Sequence, residues 1–290
     1  MPQNDRHRSR VVPIEFNEKE DLTNLPMQER VTLILAIAGK AVLKLNGSIA
    51  TMIAPCVLCL SQYDNVELIQ QTGLTAKSFS FKPVFLNSSL TFEALEVNNF
   101  TKLEDEHDRN MLKMFLRRDL NYNGILDIPP NMYIRLFEWM NIIGKETYAQ
   151  SDGSWTCRIR RYLLQSLYLI DDIYKDGPNT QRNKSIADYA LEYIHTNYQN
   201  DITLNSLCDY IHSNRTTLNK KFKDLTGRTT MDYLLHYRLK IACETLAHTN
   251  LTLSEIAEAC GFKFDTYLIK QFTIKMGTTP TQYRNNSKQR

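Results

Sequence analysis

A chain of 290 residues with a 42% apolar share has room for two domains, each with its own core. No apolar run approaches the roughly 20 residues that span a bilayer, and the polar, Arg-rich start Met1–Arg10 lacks the apolar stretch of a secretory signal, so a cytoplasmic protein with reduced cysteines is expected. The net charge of +3 is unevenly spread: residues 184–290 hold 14 Lys/Arg against 10 Asp/Glu and residues 1–183 hold 21 against 22, which makes the C-terminal part the half suited to a polyanion.

In chain order, residues 1–14 read as a flexible arm. Short apolar runs broken by turn residues follow: Val31–Ile37, Ala41–Leu45, Ile49–Ile53, Val57–Leu60, Val66–Ile69 and Ser78–Phe85. Asn46-Gly47 between two of them is a hairpin signal, because both residues tolerate positive φ. Strands at such regular spacing point to a small barrel or sandwich. The segment Asp119 to Asp127 mimics the start of a calcium loop, but Pro130 takes the place of the bidentate Glu, so a polar turn is expected. Cys56 and Cys59 have metal-type spacing without a second pair or nearby His, and read as buried strand cysteines.

Past Pro129-Pro130 the period changes. Tyr133, Leu136, Phe137, Met140 and Ile143 are spaced for a helix over about 130–148. Ile159, Leu163, Ser166, Ile170 and Ile173 are spaced for another over about 155–175. The second stripe is a candidate dimer seam (Ile159, Leu163, Ile170, Ile173), or else it packs onto its own barrel. Residues 177–184, with Gly177-Pro178, read as the linker between a domain at 15–176 and a helical domain at 185–290.

The helical part repeats. At a shift of 49, Thr203-Leu204 matches Thr252-Leu253 and Leu207-Cys208 matches Ile256-Ala257. At a shift of 50, Leu218, Lys220, Phe222, Gly227, Thr229 and Tyr233 match Leu268, Lys270, Phe272, Gly277, Thr279 and Tyr283. Helix signals repeat too. Thr252 with Glu255 forms a capping box, Asn214 is a good N-cap, and Gly227 and Gly277 suit the left-handed residue after a helix. Each copy is a helix-turn-helix, over about 204–225 and 253–276. A helix from about Thr230 to Ala247, roughly 27 Å long at 1.5 Å per residue, joins them. That is enough to hold two recognition helices near one turn of B-DNA apart, roughly 34 Å.

The stretches LNKKFKDLTG (Leu218 to Gly227), YLLHYRLKIA (Tyr233 to Ala242), LSEIAEACGF (Leu253 to Phe262) and FTIKMGTTPTQYR (Phe272 to Arg284) closely resemble the DNA-binding domain of the AraC/XylS family of transcription regulators. The resemblance covers about a hundred residues. It implies an α+β chain of two domains: an N-terminal cupin-like β-barrel with two following helices, serving sensing and dimerisation, and a C-terminal all-α domain of two tandem helix-turn-helix units.

It also implies that Thr216, Asn219 and Lys220 of the first recognition helix, and Asp265, Thr266, Ile269 and Lys270 of the second, face base edges. Lys can donate to guanine, Asn can pair with adenine, and Ile can touch a thymine methyl. Arg215, Lys221 and Lys223 suit phosphate. Two residues depart from the family pattern. Phe264 stands where a small polar residue usually starts the helix, and Cys208 replaces the usual Ala.

The expected function is a sequence-specific transcription regulator, an activator among the family's roles, modulated by a small effector in the N-terminal domain. The alternatives are a regulator whose N-terminal domain binds a protein partner instead of a ligand, and an enzyme with an appended DNA-binding domain. The expected partners are double-stranded DNA, RNA polymerase, the effector and a second copy of the chain. Catalysis, a metal and a cofactor are not expected. The chain has no His between His7 and His107 to build the metal cluster of cupin enzymes, no Gly-rich phosphate loop and no nucleophile elbow.

Overall fold

The computed structural model describes residues 3–7, 10–23, 25, 29–97, 103–119, 121–176, 185–248 and 251–288. The chain divides into two compact units, one of Met1–Ser151 with Arg158–Arg182 and the other of Asp152–Cys157 with Asn183–Arg290. The expected linker at 177–184 lies outside the described residues.

The first unit starts with β1 (Gln3–Asn4) and β2 (Val11–Val12), an antiparallel pair. The Gln150 side chain accepts from the backbone N–H of Arg6 at 2.7 Å and donates to the Asn4 carbonyl at 2.8 Å. The described part of the expected arm is therefore a hairpin tied to the domain, since its backbone groups find partners in a ladder and an amide.

A six-stranded antiparallel sheet follows, made of β3 (Ile14–Asn17), β4 (Val31–Leu45), β5 (Ser48–Ile53), β6 (Cys56–Ser61), β7 (Val66–Phe81) and β8 (Ile125–Asp127). Its order is β3-β7-β4-β6-β8, with β5 also paired to β4. Among the described residues the strand pairing does not close on itself, so this part of the chain is a sheet domain without the closure of the expected cupin-like β-barrel. β4 and β7 are long strands whose pairing is interrupted by register shifts between Ala36 and Lys40. Gly39 (φ +77°) and Gly73 (φ +59°) face each other at that point, and a Cβ on Gly39 would lie 2.2 Å from the Gly73 carbonyl oxygen. Only two glycines allow the strands to bend together so closely.

The bend shifts the inward-facing positions from Ile34 and Ala36 to Ala41, Leu43 and Leu45. Both halves of β4 thus contribute to one core with Met52, Cys56, Leu58 and Leu60. The run expected as two strands around Gly39 is one strand. The turn at Asn46 (φ 50°) and Gly47 (φ 86°) is the hairpin turn expected there.

Three short helices that the periodicity did not indicate come next: α1 (Phe92–Val97), α2 (Leu103–Asn110) and α3 (Lys113–Leu116). Within 119–127 the aspartate and asparagine side chains serve their own turns, Asp119 accepting from Asn121 N–H and Asn123 from Ile125 N–H. Burial pushes the thiol pKa of both Cys56 and Cys59 up to about 12, so both stay protonated at neutral pH.

The helices α4 (Pro130–Ala149) and α5 (Trp155–Asp176) complete this part of the chain. Ile159, Leu163, Ser166 and Ile170 are fully buried, and Ile173 is 6% exposed. These side chains are packed within the single chain, as the second expectation for this stripe has it, and a second copy would meet them only where that packing opened.

The second unit is helical: α6 (Ile186–Asn197), α7 (Leu204–Tyr210), α8 (Arg215–Thr226), α9 (Thr230–His248), α10 (Leu253–Ala259), α11 (Asp265–Met276) and α12 (Pro280–Lys288). One core of Leu191, Ile194, Tyr198, Leu207, Leu218, Phe222, Tyr233, Leu239, Ile256, Leu268 and Phe272 draws on helices α6 to α11. Among the described residues no helix is long and apolar enough to cross a membrane.

Candidate nucleic-acid interface

The two copies of the repeat adopt one geometry. Each first helix, α7 or α10, begins with a capping box, Thr203 with Ser206 and Thr252 with Glu255. Each turn passes through a left-handed residue, His212 at φ 50° and Gly261 at φ 78°. It is then closed by a backbone bond, from Ser213 N–H to the Cys208 carbonyl at 3.0 Å and from Phe262 N–H to the Ala257 carbonyl at 2.8 Å. Each second helix, α8 or α11, buries a leucine and a phenylalanine and ends at a left-handed glycine, Gly227 or Gly277. The phenylalanine meets a tyrosine of the following helix edge-on: Phe222 and Tyr233 at 5.3 Å, Phe272 and Tyr283 at 5.5 Å.

Burial of those leucines and phenylalanines decides what faces outward. On α8, Thr216, Lys220, Lys221 and Lys223 are exposed. On α11, Thr266 and Lys270 are exposed, while Asp265 and Ile269 are half-buried. Lys220 and Lys270, expected to reach base edges, thus occupy equivalent exposed positions in the two copies. Asp265 folds its carboxylate back onto the N–H of Thr266 at 2.6 Å, and Ile269 presents only part of its side chain. Arg215 is exposed and donates through Nε to Asn205 on α7 at 2.7 Å. That bond steadies the guanidinium at the mouth of the turn and leaves its remaining donors outward.

Asn219 departs from expectation. Its Oδ1 accepts from the Thr230 N–H at 3.2 Å and the Thr230 hydroxyl at 2.9 Å. Thr230 is fully buried at the start of α9. Asn219 therefore caps the helix joining the two copies, and its acceptor is not available to a base. The physical reason is local: a buried helix start must find an acceptor for its N–H, and Asn219 supplies it one turn above Lys223.

α9 is tied to both copies. Asp232 on its first turn accepts from Lys275 of α11 at 3.2 Å and from Arg228 at 3.4 Å. Burial raises the Asp232 pKa, but these two cations outweigh it and hold the carboxyl below the ordinary range. Arg238 of α9 donates to the Tyr198 and Asn200 carbonyls at 2.8 and 2.7 Å and lies over the Phe262 ring. A Cβ on Gly261 would sit 2.3 Å from the Tyr198 carbonyl oxygen. The turn of the second copy is thus pressed against the end of α6.

Two exposed residues at the start of the second recognition helix are not signalled by its motifs: Lys263, just before α11, and Tyr267, in its first turn. A position-by-position comparison at the 50-residue shift reveals the second, because Tyr267 stands where the first copy has Thr217. Phe264, 61% exposed at the N-cap, makes no side-chain cap bond, as its chemistry requires.

A helix-turn-helix domain family matches residues 207–286. The chain is 29% identical over 139 residues to the lactose operon transcription activator of Staphylococcus xylosus, covering 47% of this chain and 50% of that protein. It is 34% identical over 102 residues to the bifunctional transcriptional activator/DNA repair enzyme AdaA of Bacillus subtilis (strain 168), covering 35% and 48%. Among solved structures, the C-terminal domain of the two-component response regulator yesN from Fusobacterium nucleatum matches at 33% identity and a TM-score of 0.32, covering 33% of this chain and 93% of that one. The chain spans about half the length of the curated relatives it matches.

Proposed function

We propose that the C-terminal part of this chain is a DNA-binding domain of the AraC/XylS type, and that the protein binds double-stranded DNA in a sequence-specific way and regulates transcription, as an activator. The observation that carries this reading is the twin geometry: Lys220 and Lys270 stand exposed at equivalent places on two recognition helices braced by one connecting helix. Each helix can enter a major groove, so a single chain reads two adjacent half-sites. The surplus of exposed cations on α8 supplies phosphate contacts that set register, while Lys220 and Lys270 supply direction toward base edges.

The N-terminal domain is the regulatory part in this reading. A half-open cleft of about 520 Å³ lies beside β8 and the end of α5, lined by Arg117, Asp119, Tyr122, Asp127, Tyr174 and Lys175. That is the size of small-ligand sites in general, and with Ile125, Leu126 and Ile173 beside the charged residues its mixed lining suits a small effector with both polar and apolar groups. RNA polymerase is the partner through which activation proceeds.

The test is selection of the full chain against randomised duplexes, followed by a salt titration on the enriched sequence. The expected result is a site of two half-sites about 10 base pairs apart, with affinity falling steeply as salt rises. No enrichment together with a flat salt response would overturn the reading.

A further inference from the structure

Resting on that reading, we infer that Phe264 and Tyr267 form an aromatic edge by which the second recognition helix selects thymine through its 5-methyl group. The two recognition helices share a fold but not a surface. α8 carries Arg215, Lys220, Lys221 and Lys223 against Asp224. α11 carries Lys270 and Lys275 against Asp265, and Lys275 is drawn aside to Asp232. At the positions where the first copy has Asn214 and Thr217, the second has Phe264 and Tyr267, 61% and 48% exposed.

Residues in the first turn of a recognition helix are those that reach base edges, so this aromatic pair stands at the leading end of the second probe. Phe264 also forgoes a function. Its counterpart Asn214 accepts from Thr217 N–H at 2.9 Å, while Phe264 caps nothing. A large apolar ring exposed to water in place of a cap is a local loss unless something covers it. Lys263, whose ammonium sits 5.8 Å from the Phe264 ring centre, is placed to hold a phosphate beside it. In the major groove the apolar group that base pairs offer is the thymine methyl. Burial of such a methyl against the ring contributes about fourfold in affinity at room temperature. The first copy reads by charge and hydrogen bonding, while the second adds an apolar contact to that of Lys270, so the two half-sites differ in kind.

The experiment uses the full chain and the selected duplex, with deoxyuridine replacing thymine in one half-site at a time; this removes only the methyl groups. The expected result is a loss of about fourfold per contacted methyl in one half-site and no loss in the other. Phe264→Ala should weaken binding to the thymine duplex and leave binding to the uracil duplex unchanged. Phe264→Asn, which restores the cap found in the first copy, should raise the melting temperature by about 2 °C and still lose the methyl preference. A purely structural role for Phe264 would give the opposite pairing of results. Equal uracil sensitivity in both half-sites, or a methyl preference that survives Phe264→Ala, would overturn the inference; the latter result would turn the aromatic edge toward a protein partner. Failure to bind any duplex would instead overturn the parent reading.

Discussion

Asn219 on the first recognition helix and Thr230 at the start of the connecting helix are joined by two hydrogen bonds, both accepted by one side-chain oxygen. The residue whose type suits adenine is spent on orienting the second copy against the first. Stability and the spacing of the two probes therefore meet in one amide.

Replacement of Asn219 by Ala should lower the stability of the chain by about 1–3 kcal/mol, because the buried Thr230 N–H and hydroxyl lose their acceptor. Thermal or urea unfolding measures it. Sequence preference at each base position should be unchanged. A relaxed preference at a single position would show that Asn219 reads a base after all.

Lys220→Ala and Lys270→Ala should each cost about 1–3 kcal/mol of DNA affinity and relax specificity at one position in separate half-sites. Binding to a panel of single-position variants of the selected site is the measurement. A loss that is uniform across the panel would reassign the lysine to phosphate.

The equivalent turn residues His212 and Gly261 should respond in opposite ways. Gly261→Ala combines a left-handed φ of +78° with a Cβ 2.3 Å from the Tyr198 carbonyl oxygen, so it should destabilise by more than about 1 kcal/mol. His212→Gly relieves a left-handed non-glycine residue and should be neutral or stabilising. Melting temperatures of the two variants decide it. Equal destabilisation would mean the His212 side chain holds the turn.

Asp232 makes a pH-dependent contribution. Its carboxyl is held below the unfolded value of 3.8 by Lys275 and Arg228, against burial. A carboxylate with a lowered folded pKa stabilises the fold above its unfolded pKa and loses that contribution as pH falls through the folded one. Asp232→Asn should therefore lower the melting temperature at about pH 6 and make little difference at about pH 2. An equal effect at both pH values would show that packing, not charge, is what Asp232 supplies.

Much of the DNA-binding half is local chemistry, and local chemistry is written in the chain. Thr252 with Glu255, Asn214, Gly227 and Gly277 mark helix ends by side-chain bonds or backbone freedom within three or four residues of themselves. The repeat of Leu218 and Phe222 as Leu268 and Phe272 determines which face of each recognition helix is buried, and so which face is free. That is why Lys220 and Lys270 could be named as outward residues before any coordinates.

What tertiary structure decided is every question whose answer lies at long range. Asn219 meets Thr230 across a loop, so its role depends on where α9 starts in space. Ile159, Leu163, Ile170 and Ile173 form a stripe in either reading, and only the fold shows them packed within the single chain. Gly39 looks like a break between two strands; opposite Gly73 it becomes the bend of one long strand. Periodicity tells which side of an element is apolar, whereas closure, covering and capping partners are properties of elements brought together by the fold.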